Sequence, residues 1–149
     1  MVLFKLKANA IHFQSFKQAK QQGLRVGRVR GYFAIPSLLE SGISIAEVTT
    51  DEQLFRMLAR RRVDLVAADL LNGQHVLQTF LPQHAPGIDW ISPPLESRPQ
   101  YLVLSRHYPG TEALMEKFNL GLSQLRQSGD YQIIINTLLP ISYQQLLQE

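Results

Sequence analysis

Val63-Asp-Leu-Val-Ala-Ala68 is an almost unbroken apolar run, and it limits what this chain can fold into more than any other stretch. A strand with one wet face alternates apolar and polar residues. A continuous run is the pattern of a strand covered on both faces, which calls for helices above and below a largely parallel sheet. The flanking residues agree. Upstream, Thr50-Asp-Glu-Gln53 has capping-box spacing, in which Thr50 and Gln53 satisfy free backbone N–H groups, and it predicts a helix from Asp51 to about Arg60. Leu54, Met57 and Leu58 share one face of that helix, with Asp51 and Glu52 at its positive end and Arg60, Arg61 and Arg62 at its negative end. Downstream, a helix from Leu70 to Leu81 is stopped by Pro82.

The rest of the chain repeats the alternation of strand and helix. Val2 to Lys7 reads as a half-buried strand, Asn9 to Gly23 as a polar connector, and Leu24 to Arg30 as a short strand stopped by Gly31. Pro36 suits the first turn of a helix from Pro36 to Ser41, and Ser44 to Val48 reads as the next strand. Ile88 to Ser92 and Tyr101 to Ser105 are read as two more strands either side of the Pro93-Pro94 turn. The prediction is an α/β lobe over residues 1–105, with a mostly parallel sheet flanked by helices. Residues 106–149 are read as a helical tail. Leu114, Met115, Phe118, Leu122 and Leu125 mark one helical face, Gly129 a C-cap, and Asp130 to Leu139 a second short helix stopped by Pro140, with a frayed end beyond it.

Composition excludes several kinds of chemistry. The 149 residues contain no cysteine, which rules out disulfides, thiolate catalysis and cysteine-ligated metals. His12, His75, His84 and His107 have neither an i, i+4 partner nor a carboxylate at metal-ligand spacing, so no metal is expected. Gly27 and Gly31 fit no phosphate-binding or dinucleotide motif and no nucleophile elbow is present, so neither a cofactor nor an enzymatic activity is expected. The formal charge of +3 is spread along the chain, and Arg60 to Arg62 are read as a solvated helix end, so nucleic acid is not an expected partner. No run approaches the roughly 18 apolar residues that cross a bilayer. The alternation from Met1 to Lys7 begins too early for a secretory apolar region, so neither membrane insertion nor a signal peptide is expected.

In an open parallel sheet, ligands bind beyond the carboxyl ends of the strands. Two places fit. At Arg30-Gly31-Tyr32-Phe33, glycine lets backbone approach a ligand, the following amides can hold an anion, Arg30 adds charge-assisted donors, and Tyr32 can stack; a plain strand-to-helix turn is the competing reading. Asp69, at the end of the apolar strand, can accept from a ligand's ammonium group or cap the helix that follows, with Asn72 an alternative cap. Asp64, at the other end of that strand, is read as structural.

Taken in order, three segments resemble the bacterial extracellular solute-binding protein family 3: Gly23-Leu-Arg-Val-Gly-Arg-Val-Arg-Gly31, Thr49 to Asp69, and Tyr101-Leu-Val-Leu-Ser105. Ser128-Gly129-Asp130-Tyr131 resembles the turn after that family's C-terminal helix. The resemblance covers the second lobe and C-terminal helices, from Val2 to about Leu139. It implies a type II periplasmic-binding-protein-like lobe, a small polar solute such as an amino acid, an amino-acid ABC transporter with its permease as partner, and a periplasmic location. On it, Asp69 matches the acceptor of the ligand's α-amino group, and Gly31 with Tyr32 the loop that helps hold the α-carboxylate, although Tyr32 stands where the family has a small hydroxyl residue. The family's first lobe, with its carboxylate-clamping arginine, has no counterpart here. The apolar faces of the tail are therefore expected to meet a second copy of the chain, as a homodimer, or a separate first lobe. A ligand-free interaction or sensory domain of the same fold is the alternative.

Overall fold

A computed structural model describes residues 1–99 and 101–139. The chain divides into two compact units, Met1–Ser97 and Arg98–Glu149.

The first unit is a five-stranded sheet flanked by helices. Its strands are β1 (Val2–Leu6), β2 (Arg25–Val29), β3 (Ser44–Val48), β4 (Leu65–Ala68) and β5 (Ile88–Ile91), in the spatial order β3-β2-β4-β1-β5. β2 runs parallel to both β3 and β4, with Val26 opposite Leu65 and Gly27 opposite Val66. β1 lies between β4 and β5 and is antiparallel to each, with Leu3 opposite Ala67 and Ile91. The expected α/β sheet is thus present, with one reversed strand inside it.

Each face of the sheet carries its own core. On one, Leu3, Val26, Leu65 and Ala67 pack with Phe16 and Ala19 of α1 (Phe16–Gln21), Leu38 of α2 (Pro36–Glu40), and Ile35 and Ile43. On the other lie α3 (Asp51–Ala59) and α4 (Leu70–Phe80). There the Phe4 and Phe55 rings meet edge-on, with centroids 5.0 Å apart. Two glycines permit this closeness: a Cβ at Gly27 would lie 2.6 Å from Leu54 Cδ1, and one at Gly73 would overlap the Phe4 ring and come within 2.9 Å of Phe55 Cζ.

Helix α3 starts as its capping box predicts, with Thr50 Oγ1 accepting from the Gln53 amide at 3.2 Å; Gln53 in return accepts from Thr49, one residue earlier than expected. It ends with Arg61 in the left-handed region at φ 57°, where the amides of Arg61 and Arg62 close back on the carbonyls of Leu58 and Met57. Asp64 is structural, as expected, accepting from the Arg25 amide at 2.8 Å and so tying the starts of β2 and β4 together.

Two local expectations are corrected. The connector Asn9 to Gly23 contains α1, capped by Ser15 Oγ, which accepts from the Gln18 amide at 3.1 Å. Its apolar contribution is only Phe16 and Ala19 among Lys and Gln, too short a stretch for periodicity to register. Tyr101–Ser105, read as a strand, is not one: among the described residues it has no strand conformation, and Tyr101 and Val103 are 79% and 81% exposed. Strand propensity needs a partner ladder to become a strand.

In the second unit, α5 (Thr111–Ser128) and α6 (Asp130–Leu138) are joined through Gly129 at φ 84°, the C-cap expected there. None of the described residues in this unit is buried, and Leu114, Phe118, Leu120, Ile133 and Leu138 are exposed. The frayed end expected beyond Pro140 lies outside the described residues. Among the described residues, no helix is long and apolar enough to cross a membrane.

The closeness of α4 to β1 gives a direct test. Gly73→Ala places a methyl group against Phe4 and Phe55, which are 1% and 0% exposed and have nowhere to retreat. We expect a loss of about 1–3 kcal/mol, read as a lower urea midpoint at an unchanged m value.

Candidate functional site

Because β2 and β4 run in the same direction, their carboxyl ends reach the same sheet edge. There a cavity of about 260 Å³ opens, lined by Met1, Arg28, Val29, Tyr32, Phe33, Ala34, Leu38, Ala67, Ala68 and Asp69. It is smaller than the roughly 300–1,000 Å³ of sites for drug-sized molecules, which suits a compact solute. A second, wider recess of about 810 Å³ belongs to the Arg98–Glu149 unit, between residues 102–106 and α5.

The four residues expected at the site divide evenly. Tyr32 and Asp69 line the same cavity; Arg30 and Gly31 do not. Gly31 makes the turn after β2, at φ 80°, where a side chain would be strained. Arg30 has a side chain 70% exposed, with Nε 3.4 Å from Glu47 Oε2. The amide of Tyr32 donates to the Val29 carbonyl at 3.3 Å, so the turn's own hydrogen bond takes an N–H that the anion-holding reading needed.

Asp69 is the helix cap of its two readings, and it also stands at the cavity. Its Oδ1 accepts from the Asn72 amide at 3.0 Å, capping α4, while the exposed carboxylate borders the cavity. Asn72 is therefore the donor in the cap. Among the described residues Oδ2 has no hydrogen-bond partner, and it remains able to accept.

Arg28 is the lining residue that the sequence reading passed over. A period-two count along β2 would have found it, since Arg28 shares a face with Val26, which is fully buried. A cation on the inward face at the carboxyl end of a covered strand is a signal of its own. Its side chain is 15% exposed; Nη2 donates to the Tyr32 carbonyl at 3.3 Å, and Nε stands 3.3 Å from Glu47 Oε1. Glu47 thus lies between two guanidiniums, those of Arg28 and Arg30.

The cavity's aromatic wall is tethered from outside. Tyr32 is 57% exposed, and its hydroxyl donates to Asp51 Oδ2, in the first turn of α3, at 3.1 Å. That hydrogen bond, then the carboxylate's charge, then partial desolvation raise the phenol above its ordinary value of 10.0. Among the described residues, no group of three or more His, Asp or Glu gathers as a metal would require.

No protein-family model matches the chain, and no curated protein does. Solved structures do. An ancestral arginine-binding protein bound to glutamine is 21% identical over 91% of this chain and 57% of its own, with a TM-score of 0.67. The GluR0 ligand-binding core in complex with L-glutamate is 16% identical over 93% of this chain and 59% of its own, with a TM-score of 0.70. A histidine kinase sensor domain with similarity to periplasmic binding proteins is 17% identical over 93% and 57%, with a TM-score of 0.64. The chain therefore spans less than two thirds of each of these proteins. What it shares with them is the fold, a periplasmic-binding-protein-like α/β lobe.

The Tyr32–Asp51 tether sets a pH signature. A phenol raised by a carboxylate partner adds stabilisation that is fully present below the ordinary tyrosine value of 10.0 and is lost as pH rises from there through the raised value. In an NMR titration of its ring carbons, Tyr32 should ionise above 10.0, and Asp51→Asn should bring it back toward 10.0. Unchanged titration in Asp51→Asn would remove the tether.

Proposed function

We propose that this chain is a solute-binding lobe that takes a small polar solute, an amino acid, into the cavity between Tyr32 and Asp69, and that it acts by binding and not by catalysis. The observation that carries this reading is the cavity itself: a compact, mainly apolar hollow at the carboxyl edge of a parallel sheet, bordered by one carboxylate and one guanidinium. Asp69 Oδ2 is the acceptor for the solute's ammonium group, in a charge-assisted bond. The neighbouring folds support the choice of solute, since they include proteins bound to glutamine, arginine and L-glutamate. In this reading the lobe serves an amino-acid ABC transporter in the periplasm and hands its solute to the permease.

A second reading, a sensory or regulatory lobe of the same fold, is favoured by the likeness to a histidine kinase sensor domain. Solute binding separates the two, since a ligand-free regulatory lobe would give no saturable signal.

Calorimetry with L-arginine, L-glutamine and L-glutamate tests the binding reading. At least one should bind saturably, and Asp69→Asn should weaken it about tenfold, because the charge-assisted bond to the ammonium group loses its charge. Asparagine caps a helix as well as aspartate does, so this variant should melt close to the parent and report on binding alone. No heat with any of the three would end the proposal.

We also propose that the second unit meets a partner, a second copy of this chain or a separate first lobe. A stretch of two helices with no buried residue among those described has no core of its own, and its exposed leucines and isoleucines are the pattern of an interface. Light scattering of the purified chain should show a dimer, or a monomer that binds an apolar dye. A monodisperse monomer that leaves the dye dark would contradict this.

A further inference from the structure

Arg28 is the one side-chain cation that lines the cavity among the described residues, and it is poorly supplied with acceptors. A guanidinium offers five N–H donors and stays charged at any working pH. Here Nη2 reaches the Tyr32 carbonyl at 3.3 Å. Nε is buried and, although Glu47 Oε1 is 3.3 Å away, makes no hydrogen bond of acceptable geometry. No other donor of Arg28 has a partner among the described residues. Glu47 does not fully neutralise Arg28 either, since Arg30 draws on its other oxygen at 3.4 Å, which leaves this group of three with a net charge of +1.

Its side chain is 15% exposed; of its donors only Nε is buried without a hydrogen bond, so the terminal N–H groups remain accessible at the cavity that Arg28 lines. A donor left without an acceptor is costly, and a planar fork of donors matches a carboxylate. We propose that Arg28 is a specificity-determining residue: it takes the solute's carboxylate while Asp69 takes the ammonium group, so the cavity selects zwitterions over amines of the same shape. This rests on the reading of the cavity as a solute site. The cavity's two charged side chains are of opposite sign, and the apolar wall of Phe33, Ala34, Leu38, Ala67 and Ala68 accounts for most of the remaining lining. An amine without a carboxylate leaves the Arg28 donors unmet and brings a second positive charge into the same small hollow.

Pairs of amino acids and their decarboxylated counterparts test this: L-arginine with agmatine, and L-glutamine with 4-aminobutanamide, titrated by calorimetry into the parent chain, R28M, R28K and D69N. The parent should prefer the amino acid that it binds over its amine by roughly 10- to 100-fold. R28M should abolish most of that preference, and D69N should weaken amino acid and amine alike. R28K keeps the charge beside Glu47 but loses the fork, and it should retain part of the preference; if R28M does not fold, as judged by circular dichroism, R28K decides. A preference unchanged in the folded arginine variant overturns the assignment of Arg28 while leaving solute binding intact. No saturable binding of any of the four probes to the parent overturns both.

Discussion

Parallel pairing of β2 with β4 is the constraint on which the lobe's chemistry depends. It brings the turn after Val29 and the carboxylate after Ala68 to one edge, where Tyr32 and Asp69 border the same hollow. Were the two strands antiparallel, those points would lie at opposite edges, about 15 Å apart for strands of this length. Gly27 sits at the centre of the pairing, and its missing side chain lets Leu54 and Val63 close over β2 from the α3 side. The apolar run that announces a covered strand and the glycine that admits its cover thus act together.

Charge around the cavity is arranged economically. Asp69 gives one oxygen to the α4 cap and keeps the other unengaged, and Glu47 divides its oxygens between an inward and an outward arginine. The Arg30–Glu47 pair is exposed enough for solvent to screen it and adds little to stability. Arg28 differs because its side chain is withdrawn, so its electrostatics are felt more strongly within the hollow. Tyr32 connects this edge to α3 through Asp51, which ties the cavity's aromatic wall to a helix on the opposite face of the sheet.

Much of this was readable from residues alone, for reasons that differ from place to place. Thr50 and Asp69 are found because a cap is a local event, settled within four residues. Val63 to Ala68 is found because cover on both faces leaves a compositional trace. β1 was recognised as a strand, but alternation carries no information about which strand it joins or in which direction, so its place between β4 and β5 was not readable. Tyr101–Ser105 has strand composition but, among the described residues, no strand conformation. At the site, Tyr32 and Asp69 can be singled out because each follows the carboxyl end of a strand, and both line the cavity. Arg28 and Arg30 share one parity along β2, so period two alone does not separate them; what does is that Arg28 lies within the strand with its side chain 15% exposed, and Arg30 past its end at 70%.

The position of β1 has a kinetic consequence. It is the earliest strand in the chain, yet its ladders are with β4, whose residues begin at Leu65, and β5, which begins at Ile88. β1 therefore has no neighbour until β4 is made, and β5 can then add only at the outer edge of β1. Such long-range closure slows folding relative to a chain built from near neighbours. At ribosomal rates of roughly 5–20 residues per second, it leaves the Val2–Leu6 edge unpaired for several seconds during synthesis. Lys5 and Lys7, at the far end of that segment, are the kind of charges that discourage a waiting edge from pairing with the wrong neighbour.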